Sequence, residues 1–252
     1  DTDSLNKLYS YYKCGKKQVV AEQYREYPNI KASLKLINEG IIGDVSCVNV
    51  SLAHEYHGIS LIRVFLEVNP GEKYTVSAKT YEFPTTQTLT RYDKFTDGRI
   101  ATFEFESGKV AWYDFDSEQY RSPIRKNTLK VQGVRGELID DCVYYLDENN
   151  EGQTGRIITD SHVINTGNSN PNFEKIREIK KISFNNKIIY EPEFGLCGLS
   201  EDETAIAVMM KNTAEYSRGN ASAPYSMEDA LADAYASILL KKAVETGEVV
   251  HS

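Results

Sequence analysis

Hydrophobic positions at the start of the chain recur at helical spacing and are interrupted by two short β-branched runs. Leu5, Leu8, Tyr9 and Tyr12 share one face of a predicted helix over Thr2 to Tyr12, with Asp3 or Ser4 able to cap it and Gly15 beyond its end. Gln18 to Glu22 (QVVAE) reads as a short apolar strand. Pro28 then opens a second helix, with Ile30, Leu34 and Ile37 on one face and Gly40 placed to end it. Val45 to Leu52 (VSCVNVSL) is predicted as a strand, and a third helix follows from about His57 to Val68, closed by Pro70-Gly71.

From Tyr74 to about Tyr190 the period changes to two. Strands are predicted over Thr75 to Phe83, Arg99 to Glu106, Lys109 to Phe115, Thr128 to Gly133, Glu137 to Asp140, Val143 to Leu146, Arg156 to Ile158, Ile176 to Phe184 and Lys187 to Tyr190. Ser107-Gly108 and Asn185-Asn186 separate alternating runs and read as tight hairpin turns, so consecutive strands lie antiparallel. Asn165 to Asn172 (NTGNSNPN) reads as a solvated loop. Ser200 with Glu203 and Ser226 with Asp229 have the spacing of helix caps, each opening an apolar-periodic run. Ala230, Leu231, Ala234, Ile238 and Ala243 are the expected buried stripe of the last helix, and Gly247 its terminator. The expected fold is α+β: a large open, predominantly antiparallel sheet with helices on one face, preceded by a helix and strand of α/β type.

With 252 residues and 40% hydrophobic content the chain is long enough to bury a substantial core. Acidic residues outnumber basic ones 37 to 29, a net charge of −8, so there is no overall positive field for nucleic acid. No apolar run approaches the roughly 18 to 20 residues of a membrane span, and no membrane partner is expected. The first residue, Asp1, reads as a cut rather than a natural start. Cys14, Cys47, Cys142 and Cys197 are widely spaced with no C-x-x-C pair, which suggests buried free thiols and a cytoplasmic setting. The chain has 17 Tyr against 9 Phe and a single Trp, a bias that suits half-buried strands and wet, apolar-walled sites.

Neither G-x-G-x-x-G nor G-x-x-x-x-G-K-[ST] occurs, so no dinucleotide fingerprint or phosphate loop is encoded in this stretch. G-x-S-x-G is also missing. His54-Glu55-Tyr56-His57 is one residue too short for H-E-x-x-H, and no metal site is expected. That segment still concentrates chemistry: two of the chain's 4 histidines, a carboxylate and a phenol lie where a strand meets a helix, a place where α/β folds often open ligand crevices. A packing and capping histidine pair is the other reading of the same residues.

The landmarks Gly15 to Pro28 (GKKQVVAEQYREYP), Leu36 to Val45 (LINEGIIGDV), Tyr56 to Arg63 (YHGISLIR), Tyr225 to Tyr235 (YSMEDALADAY) and Glu245-Thr-Gly247 follow one another in an order and spacing that resemble the Gfo/Idh/MocA oxidoreductases. The resemblance implies that residues 1–23 are the last helix and strand of an N-terminal NAD(P)-binding Rossmann domain. Residues 24–252 would be the C-terminal substrate-binding and oligomerisation domain. The implied activity of the whole protein is hydride transfer between a nicotinamide cofactor, NAD or NADP, and a sugar, polyol or related hydroxy compound. This stretch alone would hold no cofactor and would be inactive.

By the same resemblance His57 takes the place of the family's catalytic histidine, a base able to accept a hydroxyl proton near neutral pH. Tyr24, Arg25, His54 and Tyr56 are the implied substrate-binding residues, and Gln23 and Tyr24 those facing the cofactor. The family's two aspartates fall on Ala53 and Ser60. A carboxylate to orient His57 therefore comes from elsewhere, Glu55 being one source, or is absent. Arg63 reads as a structural ion-pair partner rather than a site residue. A homodimer or higher oligomer through the sheet is implied as well. The alternative reading is a non-catalytic binding or dimerisation module on the same scaffold.

Overall fold

The computed structural model describes residues 1–15, 17–88, 93–120, 122–170 and 173–252. The chain runs α1 (Thr2–Lys13), α2 (Pro28–Asn38), β1 (Val45–Ser51), α3 (Glu55–Leu66), β2 (Tyr74–Pro84), β3 (Phe95–Phe105) and β4 (Val110–Asp116). It continues through β5 (Thr128–Gly133), β6 (Gly136–Ile139), β7 (Cys142–Leu146), β8 (Gly152–Asn165), β9 (Lys175–Phe184) and β10 (Lys187–Tyr190), and ends with α4 (Glu201–Arg218), α5 (Met227–Thr246) and β11 (Val250–His251).

All strands belong to one 11-stranded sheet in the order β10-β9-β8-β7-β6-β5-β1-β4-β3-β2-β11. Among the described residues β1 and β4 form its one parallel pair, with Val48 opposite Ala111 and Val50 opposite Tyr113. The other pairings are antiparallel, as expected for strands joined by hairpins. The helices α2, α3, α4 and α5 cover one face. That face buries Val48, Val50, Phe103, Tyr113, Leu138 and Ile182 against Leu36, Ile59, Ile62 and Phe65 of the helices. Each such aliphatic or aromatic side chain contributes roughly 1.5–3 kcal/mol by leaving water.

The turn residues act as their stereochemistry requires. Asn185 and Asn186 both have positive φ, 47° and 65°, which is what a two-residue hairpin with right-handed strand twist demands. Ser200 and Glu203 cap each other reciprocally at the start of α4, and the Ser226 side chain accepts from the Asp229 N–H at the start of α5.

Several expectations are corrected. Gln18 to Glu22 joins no ladder of the sheet, and a strand exists only with a hydrogen-bonded neighbour. Asp1, not Asp3 or Ser4, caps α1. The third helix begins two residues before His57, and β8 is far longer than Arg156 to Ile158 because β7 and β9 flank it and satisfy its backbone. In α5 the buried face carries Ala230, Asp233, Ala236, Leu240 and Ala243. Alanine lies all round this helix, so its spacing did not mark the face, and a buried aspartate on it was not anticipated. The thiols are free, but Cys14 and Cys197 are exposed and Cys47 and Cys142 half-buried, so none is a core residue. Asp116 and Glu118 are buried where the chain turns at Ser117. The loop from Asn165 is exposed through Asn170; its last two positions, Pro171 and Asn172, lie outside the described residues.

Candidate functional site

The site is built at the junction of β1 and α3. His54 is extended (φ −74°, ψ 142°), whereas Glu55 takes a positive φ of 29°, a conformation that costs a non-glycine residue about 1–3 kcal/mol. Surrounding contacts hold it. The Glu55 N–H donates to the Tyr113 hydroxyl at 2.6 Å, and the carboxylate accepts from Arg99, from Lys241 at 2.9 Å and from the Ser237 hydroxyl at 3.1 Å. The turn brings the His54 and His57 rings edge to face, with centroids 5.0 Å apart.

Glu55 is therefore not the orienting carboxylate of His57. That group is Glu22: its Oε2 lies 2.5 Å from His57 Nδ1, its side chain is wholly buried, and its Oε1 accepts the Tyr24 N–H at 3.0 Å. A carboxylate only accepts, so the ring donates from Nδ1, and in the neutral imidazole Nε2 is left with its lone pair. The Tyr24 ring stacks on His57 at 4.4 Å and on Tyr27 at 5.0 Å. Burial and the neighbouring Tyr120 push the Tyr24 phenol above its ordinary value.

His54 has its own partner. The Tyr120 hydroxyl meets His54 Nδ1, and Tyr120 is fixed by a short turn at Ser117–Gln119 in which Asp116 and Gln119 cap each other. Gln119 then donates to the Ser51 carbonyl at 2.7 Å and to the Ser51 hydroxyl at 2.9 Å, tying this turn to the end of β1. Burial, followed by the nearby His57, holds the His54 imidazole below its ordinary value.

Tyr56 and Arg25 face a different group of residues. The Tyr56 hydroxyl donates to that of Tyr225 at 3.1 Å, and Tyr225 donates to Asp233, which is fully buried on α5. Arg63 reaches Asp233 at 2.7 Å and Asp229 at 2.9 Å, while Arg25 lies 3.6 Å from Asp233, stacks over the Tyr225 ring and donates to the Ser60 carbonyl. Arg63 is thus a structural ion-pair residue, as its position suggested. Burial raises the Asp233 carboxyl despite these two cations. The Gln23 amide points to Asp202 at 3.5 Å, at the start of α4.

A cavity of about 730 Å³ lies against this cluster, between the start of α2 and the strands β5 and β8. Tyr24, Tyr27 and Tyr120 supply rings, and Asn29, Gln119, Asn127 and Thr159 supply uncharged polar groups. Four of its charged residues pair with one another, Lys126 with Asp140 at 2.8 Å and Arg177 with Glu201 at 3.5 Å, and the fifth, Asp141, lies 3.8 Å from Arg156 outside the wall. Tyr24 and Tyr120 belong to the cavity wall and to the imidazole pair at once. Among the described residues no cluster of three or more His, Cys, Asp or Glu is arranged to hold a metal ion, and no helix is long and apolar enough to cross a membrane.

The structure thus brings Tyr24, His54 and His57 together, sets Tyr56 at their edge, and turns Arg25 and Gln23 to other partners. Glu22 and Tyr120 had gone unrecognised. They lie 35 and 66 residues from the histidines they contact, and no local pattern marks such a separation.

No family model matches the sequence, and a comparison with curated proteins finds no match. Solved structures do match. A Sinorhizobium meliloti 1021 protein assigned as a myo-inositol dehydrogenase superposes with a TM-score of 0.61 at 16% identity, over 99% of this chain and 70% of its own. Levoglucosan dehydrogenase in complex with NADH and levoglucosan gives 0.53 at 18% identity, over 92% and 65%. An oxidoreductase domain protein from Kribbella flavida gives 0.55 at 15% identity, over 95% and 67%. The chain has the fold of the C-terminal part of Gfo/Idh/MocA oxidoreductases. Across the similar structures it spans between 61% and 70% of their length. The Gfo/Idh/MocA fold places an open sheet beneath helices, which is the arrangement that sets His54 and His57 at the end of β1 here.

A dinucleotide finds no glycine-rich cradle of the G-x-G-x-x-G kind in this stretch. Its pyrophosphate needs an open helix N-terminus behind a glycine-rich turn. Here Ser200 and Ser226 cap the starts of α4 and α5, and the start of α2 at Pro28 follows no glycine-rich turn. Gln23 and both stacked faces of Tyr24 are already engaged.

Proposed function

We propose that this chain is the substrate-binding and proton-transfer portion of an NAD(P)-dependent oxidoreductase acting on a sugar, polyol or related hydroxy compound. In this reading residues 1–23 belong with a nucleotide-binding domain and residues 24–252 form the substrate domain. The observation that carries it is the Glu22–His57 pair, 2.5 Å apart, beside a cavity of aromatic rings and neutral polar groups. A buried carboxylate that accepts from Nδ1 orients the ring and leaves Nε2 to take a proton from a substrate hydroxyl. Stacked tyrosines with amide and hydroxyl groups suit a polyhydroxylated ligand, whose apolar faces pack while its hydroxyls find partners. The nicotinamide, when bound by the longer protein, supplies the hydride acceptor. Levoglucosan dehydrogenase, a protein of like fold, is described in complex with NADH and levoglucosan. The proposed setting is the cytoplasm, where four free thiols stay reduced.

The test is His57→Asn in the longer protein that contains this chain. Turnover of a polyol substrate falls by roughly 10² to 10⁴ at unchanged thermal stability. Unchanged turnover removes His57 from the mechanism. A second reading, a non-catalytic binding and dimerisation module, is favoured by Ala53 and by Ser60, whose buried hydroxyl has no hydrogen-bond partner. Failure of the longer protein to bind NAD(P)H would select it.

Self-association is part of the proposal. Ile100, Trp112 and Tyr144 alternate with core residues on β3, β4 and β7 and are each at least 44% exposed, on the face the helices leave open. Sedimentation at micromolar concentration is expected to give a dimer or larger species, and a monomer would refute this part.

A further inference from the structure

Glu55 is a charged residue at the sharpest bend of the site, and the proton transfer assigned to His57 makes no use of its carboxylate. We propose that Glu55 is a positioning residue: it locks the turn between His54 and His57 in a left-handed corner and so keeps the His57 imidazole on Glu22. The inference rests on the proposed function above and deepens it.

The backbone defines the corner. The His57 N–H donates to the His54 carbonyl at 3.1 Å, closing a four-residue turn whose second residue is Glu55, with a φ of 29°. Left-handed backbone favours glycine, and a glutamate stays there only if its surroundings hold it. Relaxing Glu55 to the ordinary helical φ of about −63° would swing His54 and the chain before it by roughly 90° relative to α3. The two imidazole rings, now 5.0 Å apart between centroids, would separate. His54 on Tyr120 and His57 on Glu22 would then not both keep their partners. The side chain is fixed from two elements. Arg99 of β3 pairs with Oε1, while Lys241 and Ser237, one turn apart on α5, meet Oε2 at 2.9 Å and 3.1 Å. The buried Tyr113 hydroxyl of β4 takes the Glu55 N–H at 2.6 Å, so backbone and carboxylate are held at once. Glu55, Arg99, Ser237 and Lys241 all lie outside the wall of the 730 Å³ cavity, so their effect reaches a ligand only through the imidazoles. Lys241 is 54% exposed, and ion pairs to such a residue add little to stability. Their contribution is to geometry.

The experiment uses the longer protein that contains this chain, with Glu55→Gly, Glu55→Gln and His57→Asn side by side. Glycine accepts the left-handed corner but has no side chain to lock it, so the melting temperature should stay within about 4 °C of the wild type. In Glu55→Gly, kcat with a polyol substrate should fall roughly 10- to 100-fold, as for a reacting group displaced by about 1 Å, with KM within about twofold. The His57 imidazole ¹⁵N signals should move toward a mixture of the two neutral tautomers. Glu55→Gln keeps an oxygen for Lys241 and Ser237 and should restore kcat to within about threefold of the wild type. Lys241→Met, which leaves the corner's backbone untouched, should lower kcat in the same direction and serves if the glycine variant melts lower. Unchanged kcat and ¹⁵N signals in these variants overturn the inference. So does a loss confined to melting temperature, or a glutamine variant as slow as the glycine one. If His57→Asn lowers turnover while Glu55→Gly does not, the proposed function stands and only this inference falls. If His57→Asn leaves turnover unchanged, both fall.

Discussion

Glu22 and His57 form one unit: the buried Glu22 carboxylate lies 2.5 Å from His57 Nδ1, across 35 residues of sequence, and its second oxygen caps the Tyr24 N–H. The backbone that carries Tyr24, whose ring stacks on His57, is therefore held by the same carboxylate that orients the imidazole. Glu22 supplies this acceptor from a part of the chain remote in sequence from His57.

The tautomer of His57 follows from this pair. Glu22→Gln retains an acceptor oxygen and is expected to keep the proton on Nδ1, whereas Glu22→Ala is expected to give a mixture of the two neutral tautomers. Imidazole ¹⁵N shifts above neutral pH read the difference. Identical spectra for the alanine variant and the wild type would mean that other contacts fix the ring.

Asp233 holds Arg63 and Arg25 in the interior, and Asp229 shares Arg63. Asp233→Ala leaves a buried guanidinium short of a partner, a change of about 3–5 kcal/mol in comparable sites, with the remaining Asp229 favouring the lower end. Urea unfolding should show a midpoint well below that of the wild type. A loss under about 1 kcal/mol would mean that Asp229 suffices.

Gly58 follows His57 in α3. A Cβ there would lie 2.5 Å from the Tyr113 ring and 2.9 Å from the Ala53 carbonyl. Helix propensity alone favours Gly58→Ala by about 1 kcal/mol, but overpacking costs roughly 1–3 kcal/mol. The variant is expected to melt lower than the wild type and to disturb the His57 resonances. A higher melting temperature would show that Tyr113 yields freely.

Stability should depend on pH through His54. Burial and His57 lower its protonation point in the folded chain relative to the unfolded one. The unfolded chain therefore binds this proton first as pH falls, so the contribution is intact above the ordinary histidine value of about 6.5 and is lost on acidification below it. Melting temperatures at about pH 7.5 and about pH 5.5 should differ less in His54→Gln than in the wild type. An equal or larger difference in the variant would assign the effect to other groups.

Local stereochemistry was legible from the residues alone. Alternation of apolar and polar side chains marked the strands because successive residues point to opposite faces, and Asn185-Asn186, Ser200 and Ser226 marked a turn and two helix starts by their own backbone chemistry. The strand-like reading of Gln18 to Glu22 failed because a strand exists only with a neighbour. The stripe on α5 was misread because alanine fits any face, while Asp233 enters the core only where Arg63 and Tyr225 meet it.

The sequence by itself determined that this is a sheet-rich α+β chain with its acid–base residues gathered at His54 to His57, since those facts depend on spacings of a few residues. Only the tertiary structure decided what those histidines face. Their partners Glu22 and Tyr120 lie 35 and 66 residues away, and the cavity wall draws on residues from Tyr24 to Glu201. Hydrogen-bond partners are chosen by proximity in space, and a period of two or 3.6 along the chain carries no record of which distant segment folds back to supply them.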